Sequence, residues 1–283
     1  MTATAPEAPT RIAALLGEAE DLAAQGRALE AIELLHAANQ EVSDPRIERR
    51  TAALRYAAFD ELATASRFDR WPARVADLDP DPSPVIPQLA PHELTGEAVR
   101  RAVLEHGCVH VPGFFDADLV ARFVEGIETA LQVRADLADQ AAPSTSPWFA
   151  GLPTRTRDEA ISLARPWVAG DGSMLACDSP RLLDRILRAY EARGLRELLT
   201  DYLGERPVLS ANKATLRRAR LEGKTDWHQD GAFLGADKGI RALNVWITLT
   251  DCGIDAPSMD IVPKRFDTIV ESGTGGAIFD WAV

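Results

Sequence analysis

Apolar residues recur at helical intervals from Arg11 onward, with Ile12, Leu15, Leu16, Ala19, Leu22 and Ala23 falling on one stripe. A stripe returning about every 3.6 residues predicts an amphipathic helix. Gly26 interrupts it, Leu29, Ile32 and Leu35 resume it, and Asp44-Pro45 closes it. Proline suits only a first helical turn, so a third helix is expected from there, over roughly residues 46–66. Beyond it, Pro72, Pro80, Pro82, Pro84, Pro87 and Pro91 alternate with Asp77, Asp79 and Asp81. These exclude regular helix and central strand, and predict a linker over residues 71–94.

Further on, residues 97–105 and 117–133 suit helices, residues 108–111 a short strand, and residues 141–153 an irregular loop. Leu182, Leu183, Ile186, Leu187, Leu195, Leu198 and Leu199 form an apolar stripe over residues 181–203, broken at Gly194 and ended by Gly204. After Pro207 the period shortens, and residues 208–210, 214–216, 243–250 and 259–262 read as strands. Helices first and strands afterwards predict an α+β fold rather than a doubly wound sheet. The expected division is a helical region over residues 1–70, the linker over 71–94, and a main domain over 95–283.

Gln25-Gly26-Arg27-Ala28-Leu29-Glu30-Ala31-Ile32-Glu33-Leu34-Leu35-His36-Ala37-Ala38 resembles the turn and second helix of a tetratricopeptide repeat, with small Ala19, Ala31 and Ala38 where two helices approach. One repeat only is matched, so a helical hairpin packed on the main domain and a partner-binding array both remain open. A protein partner, if there is one, is expected on these helices.

Composition narrows the classes. Apolar residues make up 46% and charged residues 26%, enough for a packed core, and the net charge of −12 leaves no basic stripe for nucleic acid. Arg217-Arg218-Ala219-Arg220 is too short to alter that reading. Cys108, Cys177 and Cys252 lack C-x-x-C spacing and are expected to be reduced, buried thiols. No membrane-spanning run or signal peptide is recognisable, so a cytoplasmic location without membrane association is expected.

The chemistry concentrates at Trp227-His228-Gln229-Asp230-Gly231. In a strand, residues i and i+2 share a face, so His228 and Asp230 can converge on one metal while Gln229 faces away. An imidazole and a carboxylate begin a 2-His-1-carboxylate iron site, and Gly231 would allow a sharp turn beside it. Taken alone, the tripeptide fits a surface His–Asp pair better. Its context alters the balance. Thr225-Asp226-Trp227-His228-Gln229-Asp230-Gly231-Ala232-Phe233-Leu234 is followed by Arg241-Ala242-Leu243-Asn244-Val245-Trp246-Ile247-Thr248-Leu249-Thr250-Asp251, then by Ala256-Pro257-Ser258-Met259-Asp260-Ile261-Val262-Pro263. With Gly107-Cys108-Val109-His110-Val111-Pro112-Gly113-Phe114-Phe115 upstream, this succession resembles the phytanoyl-CoA dioxygenase-like family over roughly residues 96–283.

That resemblance implies a double-stranded β-helix (jelly-roll, cupin-like) core with flanking helices. It also implies an Fe(II)- and 2-oxoglutarate-dependent dioxygenase that hydroxylates a small organic substrate, with His228 and Asp230 as metal ligands. The family's second metal histidine and 2-oxoglutarate arginine, on late strands, have no counterpart here. His36, His92, His106 and His110 all precede the motif, and alternation makes His110 an outward-facing residue. The apolar run over residues 275–283 stops abruptly, so the chain is expected to be a shortened family member with an incomplete core. The alternatives are a non-catalytic interaction protein on a degenerate scaffold, and a cupin-like metal protein with another reaction. Lys213, Thr215, Arg241 and Asn244 are further candidates by alternation. Lys213 or Asn244 would hold the 2-oxoglutarate carboxylate, whereas Trp227 and Trp246 are expected to fill core.

Overall fold

A computed structural model describes residues 8–58, 67–137, 146–150, 168, 172–210, 213–219, 227–230, 241–253, 256–266, 268, 270 and 271. Gly231, the end of the third predicted helix, most of the 141–153 loop and the apolar run 275–283 lie outside them. The chain forms two compact units. The first contains residues 1–64, 121–193 and 208–218, and the second residues 65–120, 194–207 and 219–283.

In the first unit the N-terminal stripe forms α1 (Ala8–Ala24) and α2 (Ala28–Val42), followed by α3 (Pro45–Ala57). The break before α3 has a local cause: the Asp44 carboxylate accepts from the Arg46 N–H at 2.8 Å, and Pro45 occupies a position with no helical partner to lose. Ala19 and Ala31 are fully buried where helices meet, and Ile12, Ile32, Leu35, Ile47 and Leu54 fill the space around them.

The amphipathic α5 (Ala117–Leu137) lies in this unit from Ala121 onward, and α6 (Pro180–Ala192) packs on α3. Gly126 of α5 admits Leu182 of α6 so closely that a Cβ there would stand 2.7 Å from the leucine Cδ2. Buried charges join α3 to α6. Arg181 Nε donates to both Glu48 oxygens at 3.1 and 3.0 Å, and its Nη2 donates to the Ser43 carbonyl at 3.2 Å. Asp184 accepts from Asn39 at 3.2 Å and pairs with Arg188 at 2.8 Å. The only sheet among the described residues is the antiparallel pair β1 (Met174–Leu175) and β2 (Thr215–Leu216), registered Met174 to Leu216.

In the second unit Thr95 caps α4 (Gly96–His106) by accepting from the Ala98 N–H at 3.1 Å. Gly107 ends it with φ +74, a left-handed conformation that favours glycine, and a Cβ there would meet the Lys264 carbonyl at 2.6 Å. Val99 packs with Tyr202 and Leu203 of α7 (Leu195–Leu203), ringed by Trp71, Leu94, Val103, Val109, Leu198 and Leu243. The proline-rich stretch is tied to α4: Arg101 donates to the Ala76 and Asp77 carbonyls at 2.7 and 2.9 Å, and Glu105 accepts from the Asp79 N–H at 2.9 Å.

The described residues are thus rich in helix and poor in sheet, compatible with α+β. The double-stranded β-helix is not laid out in them. Residues 208–210, 243–250 and 259–262 carry no strand there, and at the predicted strand 108–111 His110 makes a single parallel bridge to Gln88. The reason is physical: alternation marks which side chains share a face, whereas a strand also needs a neighbour to accept its hydrogen bonds. Trp227 and Trp246 are exposed rather than core-filling, and of the thiols Cys177 is buried, Cys108 half-buried and Cys252 exposed. No helix of the described residues is long and apolar enough to cross a membrane.

Candidate functional site

The segment beginning at Arg241 is fixed in the second unit by two side chains of opposite character. The Arg241 guanidinium lies 5.7 Å from the centre of the Trp71 ring, and its Nη2 donates to the Phe68 carbonyl at 3.5 Å. Leu243 packs against the α4–α7 core. Its neighbour Asn244 donates from Nδ2 to Asp230 Oδ2.

Asp230 is therefore engaged at one oxygen by an amide, and its other oxygen, Oδ1, lies 3.3 Å from His228 Nε2. The two side chains meet although this segment is no strand, with Trp227 in a bend and Asp230 in a 3-10 turn, and they are 31% and 54% exposed for histidine and aspartate, respectively, so an ion from solvent can reach them. Between them, Gln229 takes a different partner. Its Nε2 donates to the Thr268 carbonyl at 3.2 Å, and its Oε1 accepts from the Val270 N–H at 2.6 Å. The sequence placed Gln229 away from the metal side, but gave no sign of these two bonds.

The donor pair can be tested against a metal directly. Two neighbouring ligands bonded at about 2.1 Å and at right angles to one another put their donor atoms about 3.0 Å apart. The His228 and Asp230 atoms, at 3.3 Å, fit two such positions with little adjustment. Among the described residues no third histidine, cysteine or acid joins them. His110, the one histidine on the predicted core segment, is exposed and bridged to Gln88.

The remaining candidates have different surroundings. Asn244 holds the Asp230 carboxylate itself rather than standing apart to receive a ligand's. Lys213 belongs to the first unit, exposed in the turn before β2, where its N–H donates to the Ser210 carbonyl at 3.2 Å. Thr215 lies within β2 and accepts from Arg217 at 3.0 Å.

No curated protein and no solved structure matches the chain. The family profile described as phytanoyl-CoA dioxygenase (PhyH) matches residues 103–265, which is more than half of the sequence and spans His228, Asp230 and Asn244. Members of that family are typically Fe(II)- and 2-oxoglutarate-dependent oxygenases. With the His-x-Asp pair inside the matched segment, the chain belongs to the phytanoyl-CoA dioxygenase family.

Proposed function

We propose that the chain is an Fe(II)- and 2-oxoglutarate-dependent dioxygenase by family, hydroxylating a small organic substrate with His228 and Asp230 as two of the metal's ligands, the family's second metal histidine and 2-oxoglutarate arginine having no counterpart in its sequence. The observation that carries this reading is the 3.3 Å approach of His228 Nε2 to Asp230 Oδ1 within the segment matched by the family. When bound, iron and 2-oxoglutarate would supply the oxidising power for attack on an unactivated C–H bond.

The chain's own residues do the rest. His228 offers a neutral imidazole nitrogen, and Asp230 offers the negative charge that offsets part of a divalent cation's. Asn244 holds Oδ2, so the carboxylate cannot rotate freely and Oδ1 stays on the imidazole side. This division of labour, one oxygen for the ion and one for an amide, is how outer hydrogen bonds fix ligand direction.

The test is turnover. Purified protein supplied with Fe(II), dioxygen and ascorbate is expected to convert 2-oxoglutarate to succinate and carbon dioxide, and Asp230→Ala and His228→Ala are each expected to abolish the conversion. Turnover by Asp230→Ala at the wild-type rate would remove the carboxylate from the mechanism and overturn the proposal.

A further inference from the structure

We infer that Gln229 is a positioning residue for the His228–Asp230 pair, its side-chain amide anchored by two hydrogen bonds to the backbone at Thr268 and Val270. The inference rests on the metal reading proposed above, and it assigns to Gln229 a role distinct from that of the ligands.

Gln229 holds two backbone groups with one amide: Nε2 donates to the Thr268 carbonyl at 3.2 Å and Oε1 accepts from the Val270 N–H at 2.6 Å. Both bonds have good lengths, and a primary amide is the one side chain that offers donor and acceptor in the geometry of a peptide group.

Gln229 stands between His228 and Asp230 in the chain, and their donor atoms are 3.3 Å apart. Rotation of the backbone about its own axis would carry both donors off any shared ion. The two bonds from Gln229 and the Asn244 bond to Asp230 oppose that rotation. The exposed His228 and Asp230 are thereby held in one orientation by hydrogen bonds rather than by burial.

The experiment compares wild type, Gln229→Ala and Gln229→Glu. Metal-free protein is followed by amide exchange at Val270, and each protein is titrated with Co(II), monitored by visible absorption. Gln229→Ala is expected to speed exchange at Val270 and to weaken cobalt binding by roughly tenfold or more, the scale seen when support of a ligand is lost. Gln229→Glu keeps the acceptor and is expected to retain protection of Val270; it serves equally if the alanine variant is poorly folded. Unchanged Val270 exchange in Gln229→Ala, or unchanged cobalt affinity, would overturn the inference. A wild-type protein that takes up no cobalt would refute the metal reading instead, and loss of Val270 protection in Gln229→Ala would then still support the anchor.

Discussion

Replacing Arg181 by alanine would strip Glu48 of its ion-pair partner inside the first unit and leave it the Asn39 amide. The Glu48 side chain is 3% exposed and Arg181 20%, so the two ends of the pair differ in access to water. Truncating the arginine removes both bonds to Glu48 and the bond to the Ser43 carbonyl, and withdraws a guanidinium 5.5 Å from the centre of the Trp148 ring. Removing one partner of a buried pair costs about 3–5 kcal/mol, and the Asn39 hydrogen bond that remains favours the lower end, equivalent to a fall in melting temperature of roughly 5–10 °C for a chain of this size. Glu48→Ala is expected to cost less, about 1.5–3 kcal/mol, because the arginine left behind keeps water, Ser43 and Trp148.

The pH dependence has a definite sign. Burial pushes the Glu48 carboxyl up, and Arg181 offsets part of that. A carboxyl with a raised folded-state pKa contributes fully to stability below its ordinary value, about 4.3. That contribution is lost as pH rises through the folded value. Without Arg181 the folded value rises further, so the deficit of Arg181→Ala relative to wild type widens from acid to neutral pH. Thermal unfolding followed by far-ultraviolet circular dichroism between about pH 4.5 and 8 would read this. Equal losses for the two variants, or a deficit independent of pH, would refute the reasoning.

Other expectations follow from single contacts. Gly126→Ala places a methyl 2.7 Å from Leu182 Cδ2 and should cost about 1–3 kcal/mol in denaturant unfolding. Leu182→Ala should cost about 2–5 kcal/mol, and the double variant less than the sum, since truncation removes the clash; strict additivity would contradict the contact. In thiol labelling read by mass spectrometry, Cys252 should react first, because it is exposed. Cys108 should lag, because burial pushes its thiol up, and Cys177 should label only on unfolding. Labelling of Cys177 at the rate of Cys252 would place it at the surface. Asn244→Ala should weaken Fe(II) or Co(II) binding about 10- to 100-fold by calorimetry, and unchanged affinity would deny it a role in holding Asp230.

Signals confined to a few neighbouring residues were legible in the sequence. Gly26, Asp44-Pro45, Gly194 and Gly204 punctuate the helices where the structure breaks them, because capping and the 3.6-residue stripe are local properties. The strands were not legible in the same way. Alternation over residues 243–250 singled out Asn244 as a candidate, and Asn244 meets Asp230 rather than standing free for a ligand. It carried no information on what would pair with the backbone. Trp227 and Trp246 show the same limit: indole size argues for burial, but exposure depends on distant chain.

The candidate site divides along similar lines. The His228–Asp230 pair was read from strand geometry that residues 227–230 do not adopt, whereas the flanking segments pointed to the family. The bonds of Gln229 to Thr268 and Val270 join residues about forty positions apart, and Glu48 meets Arg181 across 133 positions. No pattern in a single sequence marks such pairs.

Anaerobic titration of Fe(II) into the wild-type chain, His228→Ala and Asp230→Ala, followed by calorimetry, bears most directly on the metal reading. Saturable binding of one ion by the wild type, lost in both variants, is the expected result. Equal affinity and stoichiometry in all three proteins would contradict it, leaving His228 and Asp230 as a surface pair.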